Sequence, residues 1–277
     1  MSRRRDAICV VSDQKTSPAN GVVSGWDPDL YLRFEAYRTR AAADLLSRVE
    51  LEEPRFVVDL GCGPGNSTAL LAKRWPSAAI TGVDNSAAML GRARAAYPGI
   101  NWIQADLAGW RPPDRQDFIF ANASLQWVPD HRPLLQGFCN SLRTGGVLAF
   151  QVPSIHHQPA AEVYHRLADT PPWRAFRVPD ERLTVETPSF YHDVLASWCR
   201  HVEIWETVYH HLLENHEQMV LWYRSTGLRP FLENLPDEAA RSAFIGELVN
   251  RYRARFPALA DGQVLFPFHR LFVLATR

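Results

Sequence analysis

The sequence has 277 residues, of which 46% are hydrophobic and 22% are charged, a composition typical of a globular protein with a large buried core. Thirty basic residues balance thirty acidic ones, so the chain has no net charge with which to attract nucleic acid or an anionic membrane surface. These numbers argue against nucleic-acid and membrane partners and favour a small-molecule ligand.

The cysteines and histidines have no metal-binding or redox pattern. Cys9, Cys62, Cys139 and Cys199 are irregularly spaced with no Cys-x-x-Cys pair, and the histidines form no recognised ligand motif, so no metal is predicted. The apolar stretch 7–11 is too short for a signal peptide, and no run approaches the roughly 20 apolar residues of a membrane span. We expect reduced thiols in a cytoplasmic protein.

Residues 1–25 are rich in Ser, Pro, Asn and Gly and have no periodicity, which predicts a flexible amino-terminal tail. We expect one folded domain over 26–277. From Asp27 onward, apolar residues at three- and four-residue steps predict an amphipathic helix that ends before Pro54. These residues are Leu30, Phe34, Tyr37, Ala41, Leu45 and Leu46.

Strands and helices then alternate regularly along the chain. Apolar segments predict strands at 56–60, 79–83, 100–104, 117–122 and 147–152. Amphipathic segments predict helices at 67–74, 86–96 and 133–142. Strand–helix alternation of this kind indicates an α/β protein with a doubly wound, mostly parallel sheet.

The pattern changes after Pro153. Segments 202–207 and 270–275 predict two further strands, which would close a seven-stranded sheet as an antiparallel hairpin. Insertions at about 154–200 and 210–265 are expected to form a helical lid near the carboxyl edge of the sheet, with helices at 217–235 and 237–256.

The most specific motif is the glycine-rich turn after the first strand, which reads Asp59-Leu60-Gly61-Cys62-Gly63-Pro64-Gly65-Asn66. Glycine permits positive φ angles and lets the backbone approach a ligand closely. A dinucleotide site normally has the spacing G-x-G-x-x-G and binds a pyrophosphate. Here the spacing is G-x-G-x-G, and Asp59 would repel a phosphate but not a cationic group.

Two further carboxylates follow the next two strands. Asp84 lies about 20 residues after the loop, where it can accept hydrogen bonds from ribose hydroxyls. Asp106 follows the third strand, where it can accept from an adenine amino group. Each carboxylate also has an ordinary explanation as a helix cap or loop residue. Their occurrence at successive strand ends favours the binding role.

This set of motifs, with Gln104-Ala105-Asp106 included, resembles the class I methyltransferases, which have a Rossmann-like fold and use S-adenosylmethionine as methyl donor. The resemblance implies that the loop surrounds the methionine part of the donor and that Asp84 binds the ribose. Arg38 either binds the donor carboxylate or lies on a solvated helix face. The other residues that the resemblance implies for the donor site are Asn66, Asn85, Met89, Asp106, Leu107, Asn122 and Gln126.

The segment Phe120–Trp127 follows the fourth strand, so its polar atoms are expected beside the methyl group to be transferred. A capped turn with Trp127 as core filler is the alternative. Enzymes that methylate base nitrogens often have Asn or Asp followed by Pro-Pro and an aromatic residue here. This chain has Asn122-Ala123-Ser124-Leu125, which argues against methylation of a base.

From Trp26 onward the chain resembles the trans-aconitate 2-methyltransferases more closely. The segments that carry the resemblance are Tyr31-Leu32-x-Phe34, Arg38-x-Arg40, Phe120–Trp127, Trp205, Thr226–Pro230 and Arg270-Leu271-Phe272. Ala41 departs from the proline expected there, and the first 25 residues exceed the usual family start. The resemblance implies esterification of one carboxylate of trans-aconitate, with S-adenosylhomocysteine as the second product.

Such a reaction needs positioning and charge more than acid–base catalysis, because a carboxylate is already ionised near neutral pH and is itself the nucleophile. No catalytic residue is therefore predicted, although Trp127 is a candidate. A tricarboxylate in a partly desolvated pocket needs paired cations, and arginine is preferred because its planar guanidinium can bind a carboxylate through two hydrogen bonds. We predict Arg229 and Arg270 as the binding cations, assisted by Tyr209, His211, Trp127 and Tyr31. Arg229 is otherwise a cation at a helix end.

Three other functions remain open at this stage. In the first, the enzyme methylates another small carboxylic acid or an acyl thioester. In the second, the protein binds S-adenosylmethionine as a sensor without turnover. In the third, it is a nicotinamide oxidoreductase. The glycine spacing and Asp59 argue against the last of these.

Overall fold

The computed structural model describes residues 34–177, 183–224 and 226–277. In these residues seven strands form one sheet in the order β3-β2-β1-β4-β5-β7-β6. The strands are β1 Phe56–Leu60, β2 Ala79–Asp84, β3 Asn101–Gln104, β4 Gln116–Asn122, β5 Leu142–Pro153, β6 His201–Leu213 and β7 Val264–Thr276. The predicted tail 1–25, the start of the first predicted helix and Tyr31 lie outside the described residues.

Helices connect these strands. They are α1 Glu35–Ser47, α2 Asn66–Arg74, α3 Ala87–Ala96, α4 His131–Ser141, α5 Pro159–Ala168, α6 Pro188–Ala196, α7 His216–Arg224, α8 Arg229–Glu233 and α9 Glu238–Arg255. Local sequence explains several of the boundaries. The Ser86 hydroxyl caps α3 by accepting from the Met89 amide, and Asp237 caps α9 in the same way through the Ala240 amide.

The sheet is doubly wound, as predicted. Strands β1 to β5 run parallel, and chain order reverses between the neighbours β1 and β4. Strand β7 lies antiparallel between β5 and β6, so the predicted closing hairpin is confirmed. In such a sheet the carboxyl ends of β1 and β4 form a crevice that is the usual ligand position.

Alternating side chains of the strands build a core on each face of the sheet. In β4, Phe118 and Phe120 pack with helix α1, whereas Ile119 packs on the opposite face with helices α4 and α6. Both faces are therefore buried, which explains why the central strands are almost continuously apolar.

The insertion helices form a third hydrophobic cluster. Helices α5, α7, α8 and α9 pack together and against the β6–β7 hairpin through Phe266 and Phe268. Helix α6, although it lies in the first insertion, packs on the sheet beside α4 through Tyr191. No helix of the described residues is long and apolar enough to span a membrane.

Several element boundaries differ from the sequence-based prediction, and the largest differences lie in the second half of the chain. The helix predicted at 217–235 is interrupted after Arg224 and resumes at Arg229, because Pro230 starts a new helix more readily than it continues one. Strands β6 and β7 are each 13 residues long, about twice the predicted length. Their outer halves pair with each other beyond β5, so long-range pairing and not local hydrophobicity defines their ends.

Candidate active site

The glycine-rich loop closes the crevice between β1 and β4. Gly61, Gly63 and Gly65 have φ angles of 69°, 55° and 94°, conformations that other residues rarely adopt. The amides of Gly61 and Cys62 both donate to the Val83 carbonyl oxygen, at 2.7 and 3.0 Å. The loop is thus tied to β2, and helix α2 begins immediately after it at Asn66.

A small cavity lies between this loop, helix α1 and the end of β4. Its lining contains four residues of the predicted donor site, Arg38, Gly61, Asn66 and Asn122, together with Thr39, Cys62, Pro64 and Ser67. The last four were not predicted as site residues, although Cys62 and Pro64 lie within the glycine motif and Thr39 lies within the segment Arg38-x-Arg40. The fold thus brings Arg38 to the loop from a distant segment.

Asp59 is completely buried beneath the loop. Its Oδ2 accepts hydrogen bonds from the Ser67 hydroxyl at 2.7 Å and the Thr68 hydroxyl at 2.6 Å, whereas its buried Oδ1 has no hydrogen-bond partner. Burial raises the pKa of Asp59 to about 6, against the lowering effect of these two bonds. A buried carboxylate oxygen without a partner fits a ligand that carries a positive charge or donates a proton.

The other two predicted carboxylates accept hydrogen bonds from main-chain amides. Asp84 accepts from the Gly63 amide at 2.9 Å through Oδ2 and from the Ser86 amide at 2.8 Å through Oδ1, so it joins the loop to the start of α3. Burial raises its pKa. Asp106 is exposed and accepts from the Ala108 amide. Each carboxylate oxygen can accept more than one hydrogen bond, so these contacts are compatible with ligand binding.

The remaining donor-site candidates surround the same edge of the sheet. Met89 and Leu107 are buried, and Asn85 is exposed beside Gln104, whose Nε2 donates to the Asn85 carbonyl oxygen. Gln126 is buried and donates through Nε2 to the Ala123 carbonyl oxygen, while its Oε1 has no hydrogen-bond partner.

A chain of hydrogen bonds leads from the cavity to a buried cation. The Nε2 group of Gln151 donates to Asn122 Oδ1 at 2.6 Å, and Arg270 Nη1 donates to Gln151 Oε1 at 3.1 Å. Gln151 is fully buried, and Arg270 is 3% exposed. Gln151 was not among the predicted site residues. The available signal was a polar residue inside an otherwise apolar strand.

Two predicted acceptor residues lie near Arg270 on the β6–β7 hairpin. His211 is 1% exposed, it stacks on Trp222 at 5.0 Å between ring centroids, and neither of its ring nitrogens has a hydrogen-bond partner. Burial and then the charge of Arg270 lower the pKa of His211 to about 3, so its imidazole is neutral. The Tyr209 ring stacks on His211, and its hydroxyl donates to Asp44 Oδ2 at 2.7 Å.

The structure pairs Arg229 within its own helix and leaves Trp127 partly exposed. Arg229 starts helix α8, and its Nε donates to Glu233 Oε1 at 2.7 Å. It is therefore at the amino end of a helix, where a cation gains nothing from the helix dipole. Trp127 lies in a short turn after β4 and is 37% exposed. Within the described residues, no three His, Cys, Asp or Glu side chains are arranged to hold a metal ion.

The fold and the loop define the class of protein. The methyltransferase domain family matches residues 57–146, which contain the loop and strands β1 to β4. Among solved structures, the YcgJ protein of Bacillus subtilis has a TM-score of 0.56 at 12% identity and covers 86% of this chain and 98% of its own. Phosphoethanolamine N-methyltransferase 2 of Haemonchus contortus has a TM-score of 0.53 at 14% identity, with 85% and 52% coverage. The chain has the Rossmann-like fold of the methyltransferases.

Curated relatives identify the family within this class. The trans-aconitate 2-methyltransferase of Rhodopseudomonas palustris BisB18 is 44% identical over 92% of this chain and all of its own length. The enzyme of Azoarcus sp. BH72 is 47% identical over 91% and 99%, and that of Escherichia coli O157:H7 is 42% identical over 92% and 99%. The chain belongs to the trans-aconitate 2-methyltransferase family. The predicted enzyme class and S-adenosylmethionine as donor are confirmed with it.

Proposed function

We propose that the protein transfers the methyl group of S-adenosylmethionine to a carboxylate of trans-aconitate and forms a monomethyl ester. The observation that carries this proposal is the buried Arg270, which is joined through Gln151 to Asn122 at the wall of the cavity. A buried guanidinium that is hydrogen-bonded through one amide to the wall of a cavity suits an anionic acceptor, since a guanidinium can donate to a carboxylate from two parallel N–H groups.

The surroundings of Arg270 strengthen the preference for an anion. Arg38 lies over the Trp222 ring at 5.2 Å and Arg40 over the Tyr209 ring at 5.2 Å, so three arginines flank one aromatic cluster. His211 lies within that cluster with both ring nitrogens unpartnered, and a neutral imidazole can donate one hydrogen bond and accept another. A polycarboxylic acid would bring negative charge to this cluster of arginines and an acceptor oxygen to the N–H of the His211 imidazole.

The glycine-rich loop and the two carboxylates that contact its residues or the start of helix α2 fit the donor. The unpartnered Oδ1 of Asp59 and the close backbone of the loop suit the ammonium group of its methionine part, and Asp84 remains our candidate for the ribose. When bound, S-adenosylmethionine supplies a sulfonium methyl carbon, to which a carboxylate oxygen bonds as the carbon–sulfur bond breaks and sulfur keeps the electron pair. The protein orients the acceptor and excludes water, and alignment of reactants contributes roughly 7–11 kcal/mol to such reactions.

The insertion helices are part of the proposal as an acceptor-site lid. Helices α5, α7, α8 and α9 share one hydrophobic cluster with Phe266 and Phe268 of the hairpin that carries Arg270 and His211. A cover that packs on these strands would keep water from the acceptor.

The test is a panel of acids. Purified protein is mixed with methyl-labelled S-adenosylmethionine and, in separate reactions, with trans-aconitate, cis-aconitate, citrate or isocitrate, and esters are identified by mass spectrometry. We expect the labelled monomethyl ester of trans-aconitate in preference to the others. Preferred esterification of a different acid or acyl thioester would contradict the acceptor, and donor binding without any ester would favour a sensor.

We also propose a cytoplasmic location. Cys62, Cys139 and Cys199 are free thiols, and the Sγ atoms of Cys139 and Cys199 are 3.7 Å apart without a disulfide between them. Thiols so close together stay reduced most readily in the reducing cytosol. Cell fractionation of the native host tests this.

The raised pKa of Asp59 predicts pH-dependent donor binding. If ionised Asp59 pairs with the donor ammonium group, affinity for S-adenosylhomocysteine should rise with pH and level off above the Asp59 pKa of about 6. At pH 5 the dissociation constant should be about tenfold larger than at pH 7.5, because one pH unit below the pKa corresponds to a tenfold proton competition. Isothermal titration calorimetry measures this. Asp59→Asn should remove the dependence, and an identical pH profile in this variant would contradict the assignment.

The stability of the ligand-free protein should fall as pH rises, whereas the affinity for the donor should increase. The pKa of Asp59 is higher in the folded state than its ordinary value of 3.8, so folding takes up a proton between these values. This group's contribution to stability is therefore fully present below about pH 4 and is lost as pH rises through about 6. Melting temperatures of the free protein and of Asp59→Asn, compared at pH 5 and 7.5, isolate the effect.

Arg229 remains a candidate acceptor cation on sequence grounds. We expect Arg229→Ala to raise the KM for trans-aconitate by about 3- to 10-fold at nearly constant kcat, the effect of losing one charged hydrogen bond outside the reacting centre. Glu233→Gln is the matched control, because it removes the ion-pair partner of Arg229 and keeps the arginine. An unchanged KM in Arg229→Ala would restrict this residue to its ion pair in helix α8.

A further inference from the structure

Three polar side chains on one face of the sheet form an ordered relay. Asn122 of β4 lies opposite Gln151 of β5, and Gln151 lies opposite Phe272 of β7, two residues from Arg270. Residues paired across strands, and residues two apart along a strand, share a face. Asn122, Gln151 and Arg270 therefore form a row across three strands on the face that helix α1 covers.

The hydrogen-bond donors and acceptors of these three side chains can be arranged in only one way. A guanidinium can only donate, so the atom of Gln151 that faces Arg270 must be the carbonyl Oε1. The Nε2 group of Gln151 must then face Asn122, and the atom of Asn122 that receives this bond must be Oδ1. Arg270 thus determines the orientation of both amides without any further contact.

The consequence appears at the cavity wall. With Oδ1 bound to Gln151, the end of the Asn122 amide left for the cavity is Nδ2, which donates to no group of the described residues. The backbone joins the two strands at the same point, because the Ala123 amide donates to the Gln151 main-chain carbonyl oxygen at 3.0 Å. Ala123 has a φ of 53°, an uncommon conformation for a residue other than glycine, so the chain direction after Asn122 is held against strain.

We propose that Gln151 is a positioning residue that fixes the Asn122 Nδ2 group as a hydrogen-bond donor to the reacting carboxylate of the acceptor. This inference rests on the proposed function. An amide N–H that binds one carboxylate oxygen orients the group and leaves the other oxygen with its electron pairs available for attack. An amide turned the other way would present Oδ1 and repel the anion. Gln151 thereby links recognition of the acceptor charge by Arg270 to placement of the reacting oxygen.

Two substitutions of Gln151 distinguish this role from simple support of the core. Gln151→Glu keeps an acceptor for Arg270 but has no N–H, so Asn122 must turn Nδ2 toward the new carboxylate and Oδ1 toward the cavity. Gln151→Met loses both hydrogen bonds and leaves the Asn122 amide free to take either orientation. A purely structural role makes Met the more damaging change, whereas the proposed role makes Glu the more damaging one.

We expect Gln151→Glu to lower kcat/KM for trans-aconitate about 100-fold and Gln151→Met about 10-fold, the range for a misplaced buried hydrogen-bonding group. The dissociation constant of S-adenosylhomocysteine should change less than about threefold in both, since the loop is untouched. Calorimetric titration of trans-aconitate into protein saturated with S-adenosylhomocysteine should follow the same order and requires no turnover. Gln116→Glu is the control, because Gln116 is buried at the opposite end of β4, where it donates to the Asp114 carbonyl oxygen.

A double-mutant cycle separates the orientation of Asn122 from the charge that Gln151→Glu adds beside Arg270. If Gln151→Glu acts by reversing the Asn122 amide, it should lower kcat/KM much less when Asn122 has already been replaced by Ala. Multiplicative losses in the cycle, or a larger loss from Met than from Glu, would overturn the inference while wild-type ester formation leaves the proposed function intact. A wild-type protein that neither binds nor esterifies trans-aconitate would contradict both.

Discussion

Replacing Arg270 with methionine is expected to lower kcat/KM for trans-aconitate by about 100-fold or more, because a buried anion without its cation loses about 3–5 kcal/mol. Arg270 is 3% exposed and lies over the Phe268 ring at 4.7 Å, so its charge acts in a medium that screens it little. The loss should appear mainly as a higher KM and as weaker calorimetric binding of trans-aconitate. Affinity for S-adenosylhomocysteine should remain close to that of the wild type.

Two further variants show whether the loss comes from the charge and shape of Arg270 or from general destabilisation. Arg270→Lys keeps the positive charge but not the planar fork, so it should recover part of the activity and remain below the wild type. Arg143→Met is the matched control, because Arg143 pairs with Asp117 at 3.1 Å near the start of β5, at the opposite edge of the sheet. Equal trans-aconitate kinetics in Arg270→Met and Arg143→Met would exclude Arg270 from the acceptor site.

Gly61→Ala is expected to have the second large effect, this time on the donor side. A Cβ atom at this position would lie 2.2 Å from the Ser124 Cβ and 2.9 Å from its Oγ, and the φ of 69° disfavours any side chain. Overpacking costs about 1–3 kcal/mol and the left-handed conformation about 1–2 kcal/mol more. We expect the melting temperature to fall by about 5–15 °C. Donor binding should fall with it, because the loop must move away from Ser124.

The partner side chain and a distant glycine provide the controls. Gly61→Ala combined with Ser124→Gly removes the atoms that clash, so this pair should regain much of the melting temperature, although not the part lost to the φ angle. Gly91→Ala lies within helix α3, where a Cβ meets nothing within 4 Å, and should be neutral or stabilising by up to about 1 kcal/mol. A Gly61→Ala protein with wild-type stability and donor affinity would mean that the loop adapts without cost.

Much of the donor side followed from local sequence. The spacing of Gly61, Gly63 and Gly65 predicts a turn with positive φ angles wherever the chain lies, because that requirement belongs to the backbone of each residue. The alternation of apolar strands with helices likewise predicts a parallel sheet. Such a sheet brings the strand ends that carry Asp59, Asp84 and Asn122 to one edge.

The acceptor side depended on contacts that no local pattern encodes. Arg229 lies in the more family-like segment, yet it is paired within its own short helix, whereas Arg270 reaches the cavity through Gln151, 119 residues earlier in the chain. Similarly, Arg38 lies on a helix that sequence alone could equally leave solvated, and packing of α1 brings it to the loop. The fold class, the donor loop and the family could be predicted from the sequence. Which cations and amides meet could not, because strand register and helix packing set those distances.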